Sequence, residues 1–501
     1  MDEALRNPQI KKKAHNANFE RVCLREYGYD VPAGLWECSA VKSLYCGYPA
    51  SLRAVSGILE LGEKGKLTTG DALIRYFCKP CKPTKANGGR SRNLPIHAPE
   101  KYKEFTTYCV NDVVAEREVS EKLEVFKITK LERLTYKLDQ KINDTGIRVD
   151  LQLTENAVSL NNKHFESLKA ELSEITGLVN SNSPSQLKGW LSEKLGFEVA
   201  SLNKETVSML LERVPSETVR RVLELRQKTS KTSIQKYVAV DNSELTGIVR
   251  GLLQFYGAGR TGRWAGRLIQ VQNLPRNYAE NLDELRNLVM SNNYEALKNS
   301  ELGVSETLSQ LIRTVFIPKD DHLLAVADFS AIEARVIAWL SGEQWRIDVF
   351  NSHGKIYEAS ASQMFGVPIE EVTKDSHYRT KGKISELALG YGGSVGAMLQ
   401  MGAEKMGLSE DSLKPIVDTW RDSNKEIVKL WKGLEREAIR CVRTRSSVMS
   451  QYKGLIFRCE NGALTVQLPS GRKLVYQSPK IGEGKFGGAA LNYKGLNSIT
   501  R

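Results

Sequence analysis

The sequence predicts a mixed α/β (α+β) fold of several domains: a sheet-bearing platform carrying two projecting helical lobes, with a smaller α/β piece ahead of them. At 501 residues the chain exceeds what one hydrophobic core usually organises, and roughly three domains are expected. Residues 126–245 carry a charged, helical pattern, in which Ser183-Pro184 marks a helix start and Gly196 a stop. Short apolar runs at Val249–Ala258 and His322–Phe329, and again at Leu455–Tyr476, bracket a second helix-rich stretch. The last run is cut into short strands by Asn461-Gly462 and Ser470-Gly471 turns.

Composition narrows the classes. The hydrophobic fraction of 41% is ordinary for a globular protein, and no apolar run approaches the ~18 residues that cross a bilayer. The N-terminus, Met1-Asp2-Glu3-Ala4-Leu5-Arg6, lacks the basic-then-apolar layout of a secretory signal, so a cytoplasmic protein without membrane partners is expected. Seventy-two Lys and Arg against fifty-nine Asp and Glu leave a charge of +13. That balance suits a nucleic-acid binder, although a merely basic soluble protein has the same signature. The eight cysteines are scattered, and Cys78-x-x-Cys81 has no second pair at zinc-ribbon spacing, so free or buried thiols are expected rather than a disulfide framework or a metal site.

Chemistry concentrates in a few segments. The run Leu323–Ala327 reads as an apolar strand that delivers Asp328 at its carboxyl end, where a carboxylate can hold Mg²⁺ through oxygen. Ser330-x-x-Glu333 then reads either as a capping box at the start of a helix or as a substrate contact, and the residues alone favour the cap. Farther on, Arg379, Lys383, Leu387 and Tyr391 recur every four residues. On a helix they form one stripe, cationic at one end and aromatic at the other, fit for a triphosphate and a base. A solvated basic face with a core tyrosine fits the periodicity equally well. Arg260, Arg263 and Arg267 cluster around Trp264, and Gln270 and Gln272 would share a strand face just beyond them. Such arginines make sequence-independent phosphate contacts, and amides donate to minor-groove acceptors; surface arginines on a polar strand are the lesser alternative.

Taken together these segments resemble DNA polymerases of family A, the Pol I type, in a phage or prophage form. DFSAIEARV at Asp328–Val336 is similar to the family's motif A, usually written DYSQIELR, and keeps its Asp, Ser, Ile, Glu and Arg. The resemblance implies that Asp328 binds the catalytic metals and that Glu333 lies against the incoming sugar, excluding a ribose 2′-hydroxyl. Arg379, Lys383 and Tyr391-Gly392 match motif B. They imply triphosphate contacts from Arg379 and Lys383, a proton from Lys383 to the leaving pyrophosphate, and Tyr391 near the templating base. Leu387 departs from the aromatic usual there, which bears on discrimination at the sugar 3′-position. Arg263, Gln272 and Asn273 match the region that contacts primer and template. Near the start, Ala14–Glu20 and Tyr108–Asp112 resemble the second and third motifs of RNase H-like 3′–5′ exonucleases; Asp112 remains, Glu20 stands in place of an Asp, and Tyr108 is the water-positioning candidate.

The resemblance implies a right-hand polymerase preceded by a truncated exonuclease domain. Its divisions are a partial exonuclease-like domain at 1–125, thumb at 126–245, first part of the palm at 246–345, fingers at 346–450 and a truncated second palm part at 451–501. The implied activity is template-directed deoxynucleotide addition in DNA replication, with primer-template DNA and dNTPs as partners, two Mg²⁺ ions, and a monomeric state. The family's motif C hairpin, His-Asp-Glu, has no counterpart, since the last His is His377 and the last Asp is Asp422. Exonuclease motif I is likewise without a counterpart. A chain that polymerises weakly or not at all, and does not proofread, is therefore expected. A degenerate primer-template binder is the alternative, and Glu333 argues against a single-subunit RNA polymerase.

Overall fold

The computed structural model describes residues 2–66, 70–214, 216–229, 234–259, 261–484 and 487–495. The fold is mixed α/β, and its chain divides into two compact units, Met1–Leu134 with Val326–Arg501, and Thr135–Ala325.

After a short helix, Asp2–Arg6, the first unit forms a parallel strand pair, Lys12–Ala14 against Trp36–Cys38, backed by the helix Asn18–Glu26. Ala14, Ala17, Val31 and Trp36 form a small core there. A long helix, Pro99–Lys122, starts with proline at its first position, where a missing N–H is harmless. It packs on the helix Gly70–Cys78 through Leu73, Phe77 and Tyr108. Gly70 is required at that crossing, because a Cβ there would stand 2.0 Å from the Tyr108 ring.

The same unit resumes with a helical lobe over residues 332–444, whose core includes Met364, Ile384, Leu389, Trp420 and Ile427. A five-stranded antiparallel sheet follows, in the order Ala489–Lys494, Lys473–Glu483, Ala463–Gln467, Ile456–Glu460, Val448–Met449. The expected Asn-Gly turn forms with Asn461 at φ 51° and Gly462 at φ 75°, the left-handed pair that matches strand twist. The helix Lys425–Thr444 covers one face of this sheet through Ala438, Cys441 and Val442. The N-terminal segment docks on it as well: Gln477 donates its side-chain amide to the Cys46 carbonyl at 2.7 Å. Burial pushes the Cys46 thiol up to about 12.

The second unit is built on the helix Leu151–Thr176, capped by Asp150, whose side chain accepts from the Leu153 N–H at 3.0 Å, and ended by Gly177 at φ 67°. The expected start and stop at Ser183-Pro184 and Gly196 are both present in the helix Pro184–Leu195. One core, including Leu153, Leu160, Tyr237 and Leu311, joins this helix to a short sheet ordered Glu244–Leu245, Ile248–Val249, Ile147–Val149, Phe316–Ile317. A second core of Leu172, Leu191, Val222 and Leu223 closes the other end.

Two sequence expectations need correcting. The strands near residue 250 and those beyond 448 belong to separate sheets rather than to one interrupted platform. The run His322–Phe329 forms no strand either: Leu323, Val326 and Phe329 are 94%, 92% and 78% exposed. Apolarity permits a strand, but only a ladder partner satisfies its backbone, and among the described residues none pairs with this run.

Candidate functional site

Asp328 lies on the exposed, unpaired run and makes no hydrogen bond or ion pair among the described residues. The helix Ile332–Ser341 follows, with Ala331 at its N-cap in the left-handed region, φ 50°, and no side-chain cap hydrogen bond. The capping box read at Ser330 and Glu333 is therefore not formed; the helix starts one residue later than that box requires. Glu333 is exposed in the first turn, where its charge suits the positive end of the helix dipole. Arg335 is structural: it donates from Nε to the Ser330 carbonyl at 2.8 Å and lies 4.4 Å over the Phe350 ring.

The expected cationic stripe falls on the helix His377–Leu389, whose N-cap Ser376 accepts from the Tyr378 N–H at 3.2 Å. Arg379 is half-buried, while Lys383 and Leu387 are exposed on the same face. Tyr391 is exposed too, but it lies past the helix end, in the turn after Gly390, so it is not the last member of a helical row. Arg379 donates from Nε to Glu358 at 2.6 Å. Burial is the largest single influence and would raise the Glu358 carboxyl, yet the Arg379 hydrogen bond and charge, a backbone hydrogen bond and the Lys355 charge together hold the group below the usual range.

The opposite face is buried and tight. A Cβ on Gly382 would stand 2.3 Å from the Tyr357 carbonyl, which shows how closely this helix crosses Ile356–Phe365. Glu386 is paired in the interior with Arg346 through both carboxylate oxygens. It also accepts from Ser360 at 2.9 Å and from the Trp420 indole at 3.0 Å, and Arg346 donates to Asn424 at 2.8 Å. Sequence reasoning missed this network and Glu358. The available signal was Glu386 itself, a charged residue between Ile384 and Leu389 on the apolar side of the stripe.

In the second unit Arg263 opens a strand, Arg263–Gly266, that pairs antiparallel with Leu253–Ala258. Arg263, Arg267, Gln272 and Asn273 are all exposed, whereas Arg260 lies outside the described residues. Trp264 anchors the hairpin, donating its indole N–H to buried Asp139 at 2.8 Å and meeting Phe255 edge-on at 5.4 Å. The shared strand face for Gln270 and Gln272 does not occur. Gln270 sits at φ 54°, and Val271–Asn273 is a turn of 3₁₀ helix. Gln272 instead lays its carboxamide over Gly266, where a Cβ would come within 2.0 Å of Oε1, and Asn273 donates to Gln270 at 3.1 Å.

Tyr108 and Asp112 share one face of the helix Pro99–Lys122. The Lys66 ammonium sits between them, 3.0 Å from Asp112 Oδ2 and 5.2 Å from the Tyr108 ring centre. Burial alone would lower Lys66, but its contacts with Tyr108 and Asp112 raise it. Glu20 is half-buried, and burial raises its carboxyl, with the charge of Glu116 adding to the effect. A lysine thus supplies the positive charge beside Asp112.

Among the described residues no group of three or more His, Cys, Asp or Glu is arranged to hold a metal ion. Asp328 stands alone, and Glu460, one of two acidic residues beyond 440, is paired with Lys473 at 2.6 Å. The residues described do not fit a two-ion centre.

The mixed α/β fold thus carries an Arg-Lys helix face in one unit and an exposed Arg-Gln-Asn hairpin region in the other. The profile of DNA polymerase family A matches residues 152–450, and the chain belongs to that family. It is 50% identical over 495 residues to the DNA polymerase of Bacillus phage SP02, covering 98% of this chain and 76% of the phage protein. It is 27% identical over 451 residues to DNA polymerase I of Lactococcus lactis IL1403, of which it spans 45%. Its fold is similar to the POL domain of Pol1 from M. smegmatis, solved in complex with DNA primer-template and dNTP. That likeness has a TM-score of 0.54 at 17% identity and covers 95% of this chain and 70% of that one. No helix among the described residues is long and apolar enough to cross a membrane.

Proposed function

We propose that this chain binds primer-template DNA and a complementary deoxynucleoside triphosphate for template-directed addition to a primer 3′-end. The observation that carries the reading is the outward face of His377–Leu389, with Arg379, Lys383 and Leu387 in line and the rest of the helix locked into a core. Arg379 and Lys383 take the triphosphate, and Lys383, unpaired among the described residues, is placed to give a proton to departing pyrophosphate. Tyr391 lies on the base side and Glu333 on the sugar side, against a 2′-hydroxyl. Arg260, Arg263 and Arg267 contact phosphates, and Gln272 and Asn273 the minor groove. Asp328 is the metal-side carboxylate. The divisions into exonuclease remnant, thumb, palm and fingers follow the sequence reading, with Glu20, Tyr108 and Asp112 as the remnant.

A second reading has its own observation. Asp328 joins no metal-holding group among the described residues, so a chain that grips primer-template and nucleotide without extending the primer fits the geometry too. Titrating dNTP against a labelled primer-template complex tests the shared part. Arg379→Ala and Lys383→Ala should each weaken nucleotide binding without weakening DNA binding. Unchanged nucleotide affinity in both variants would sink the assignment.

A further inference from the structure

We propose that Glu358 is a positioning residue, which holds one edge of the Arg379 guanidinium so that the other edge meets the triphosphate. The inference rests on Arg379 being a triphosphate ligand, and it adds a residue outside the stripe. Guanidinium is a rigid planar fork of five N–H groups, so fixing one nitrogen fixes where all the others point. Glu358 takes Nε at 2.6 Å, and among the described residues no other hydrogen bond claims Nη1 or Nη2. The adjacent Tyr357 ring lies 5.9 Å from the guanidinium carbon. Two consecutive side chains of one helix thus hold a face and an edge of the same group.

The pair is sheltered, with the Arg379 and Glu358 side chains 26% and 17% exposed. A hydrogen bond so placed is screened less than a surface ion pair and keeps its geometry. Its helix is in turn fixed by the Gly382 crossing, which brings the Tyr357 backbone against the Arg379 helix. The opposing possibility is that Glu358 competes with phosphate for Arg379. Competition would need the carboxylate to occupy the Nη fork, and it occupies Nε.

The test is dNTP affinity on primer-template for the 501-residue chain, in a cycle of Glu358→Ala, Arg379→Ala and the double variant. Glu358→Ala should weaken nucleotide binding by about two- to tenfold, the span of one hydrogen bond. Glu358→Gln, whose amide oxygen still accepts from Nε, should lose less. In the Arg379→Ala background Glu358→Ala should add nothing. Tighter binding in Glu358→Ala, or an equal loss with and without Arg379, overturns the proposal; a merely structural role gives the latter. No effect of Arg379→Ala itself overturns the underlying ligand assignment instead. If Glu358→Ala does not fold, Glu358→Gln and Glu358→Asp carry the same cycle, judged by the same vanishing of effect without Arg379.

Discussion

Arg379 and Lys383 stand one turn apart on one helix, yet their surroundings differ. Arg379 is anchored by Glu358, and Lys383 reaches into solvent unpaired among the described residues. Arg379→Lys keeps the charge but lacks the rigid planar fork that turns one edge to a carboxylate and the other to a phosphate, so nucleotide affinity should fall well below that of the parent. A dNTP titration checks this, and full retention by the lysine variant would contradict it. The residue types of this face were legible, because spacing alone puts Arg379, Lys383 and Leu387 in a row. Glu358 was not, since nothing in a linear pattern says which of many acidic residues the fold brings to Arg379. Glu333 shows the converse: its neighbours spelled a capping box, but the helix starts at Ala331 with a left-handed residue, and backbone geometry decided the matter.

At the scale of the element, the helix His377–Leu389 holds its proposed nucleotide face steady because its back is both tight and ionic. Glu386→Gln leaves Arg346 buried without a counter-charge, and such losses commonly destabilise by about 3–5 kcal/mol. Urea unfolding should show a midpoint lowered accordingly, whereas replacing both partners by apolar residues of similar volume should recover much of the loss. A single-variant midpoint equal to that of the parent would refute the role given to this pair. Gly382→Ala forces its Cβ onto the Tyr357 carbonyl, an overpacking that typically costs about 1–3 kcal/mol, and it should loosen the Glu358–Arg379 contact as well. Helix ends and turns were readable where they have local chemistry, as at Ser183-Pro184, Gly196 and Asn461-Gly462. The run His322–Phe329 was not, because strand formation depends on a partner that lies elsewhere in sequence.

For the whole molecule, the family and the mixed fold were legible from the order of motifs along the chain, while the separation of its strands into distinct sheets was not. Grip and chemistry should come apart. Phosphate contacts release counterions, so primer-template affinity should fall steeply between low and moderate salt and be the same in Asp328→Ala. Salt-independent binding, or binding lost in that variant alone, would contradict this. Because Asp328 joins no metal-holding group among the described residues, the 501-residue chain should extend a primer on the order of a hundredfold or more slower than the SP02 polymerase assayed beside it. Fast extension that depends on Asp328 would show a carboxylate not recognised above. The most direct measurement is the lifetime of the chain on a labelled primer with a blocked 3′-end, in Mg²⁺ buffer, with each dNTP in turn. The dNTP complementary to the templating base should lengthen that lifetime, the three others and the matching ribonucleotide should not, and in Arg379→Ala the gain at the same dNTP concentration should shrink. A lifetime indifferent to which nucleotide is present, or a gain undiminished in Arg379→Ala, would contradict the assignment of this helix face.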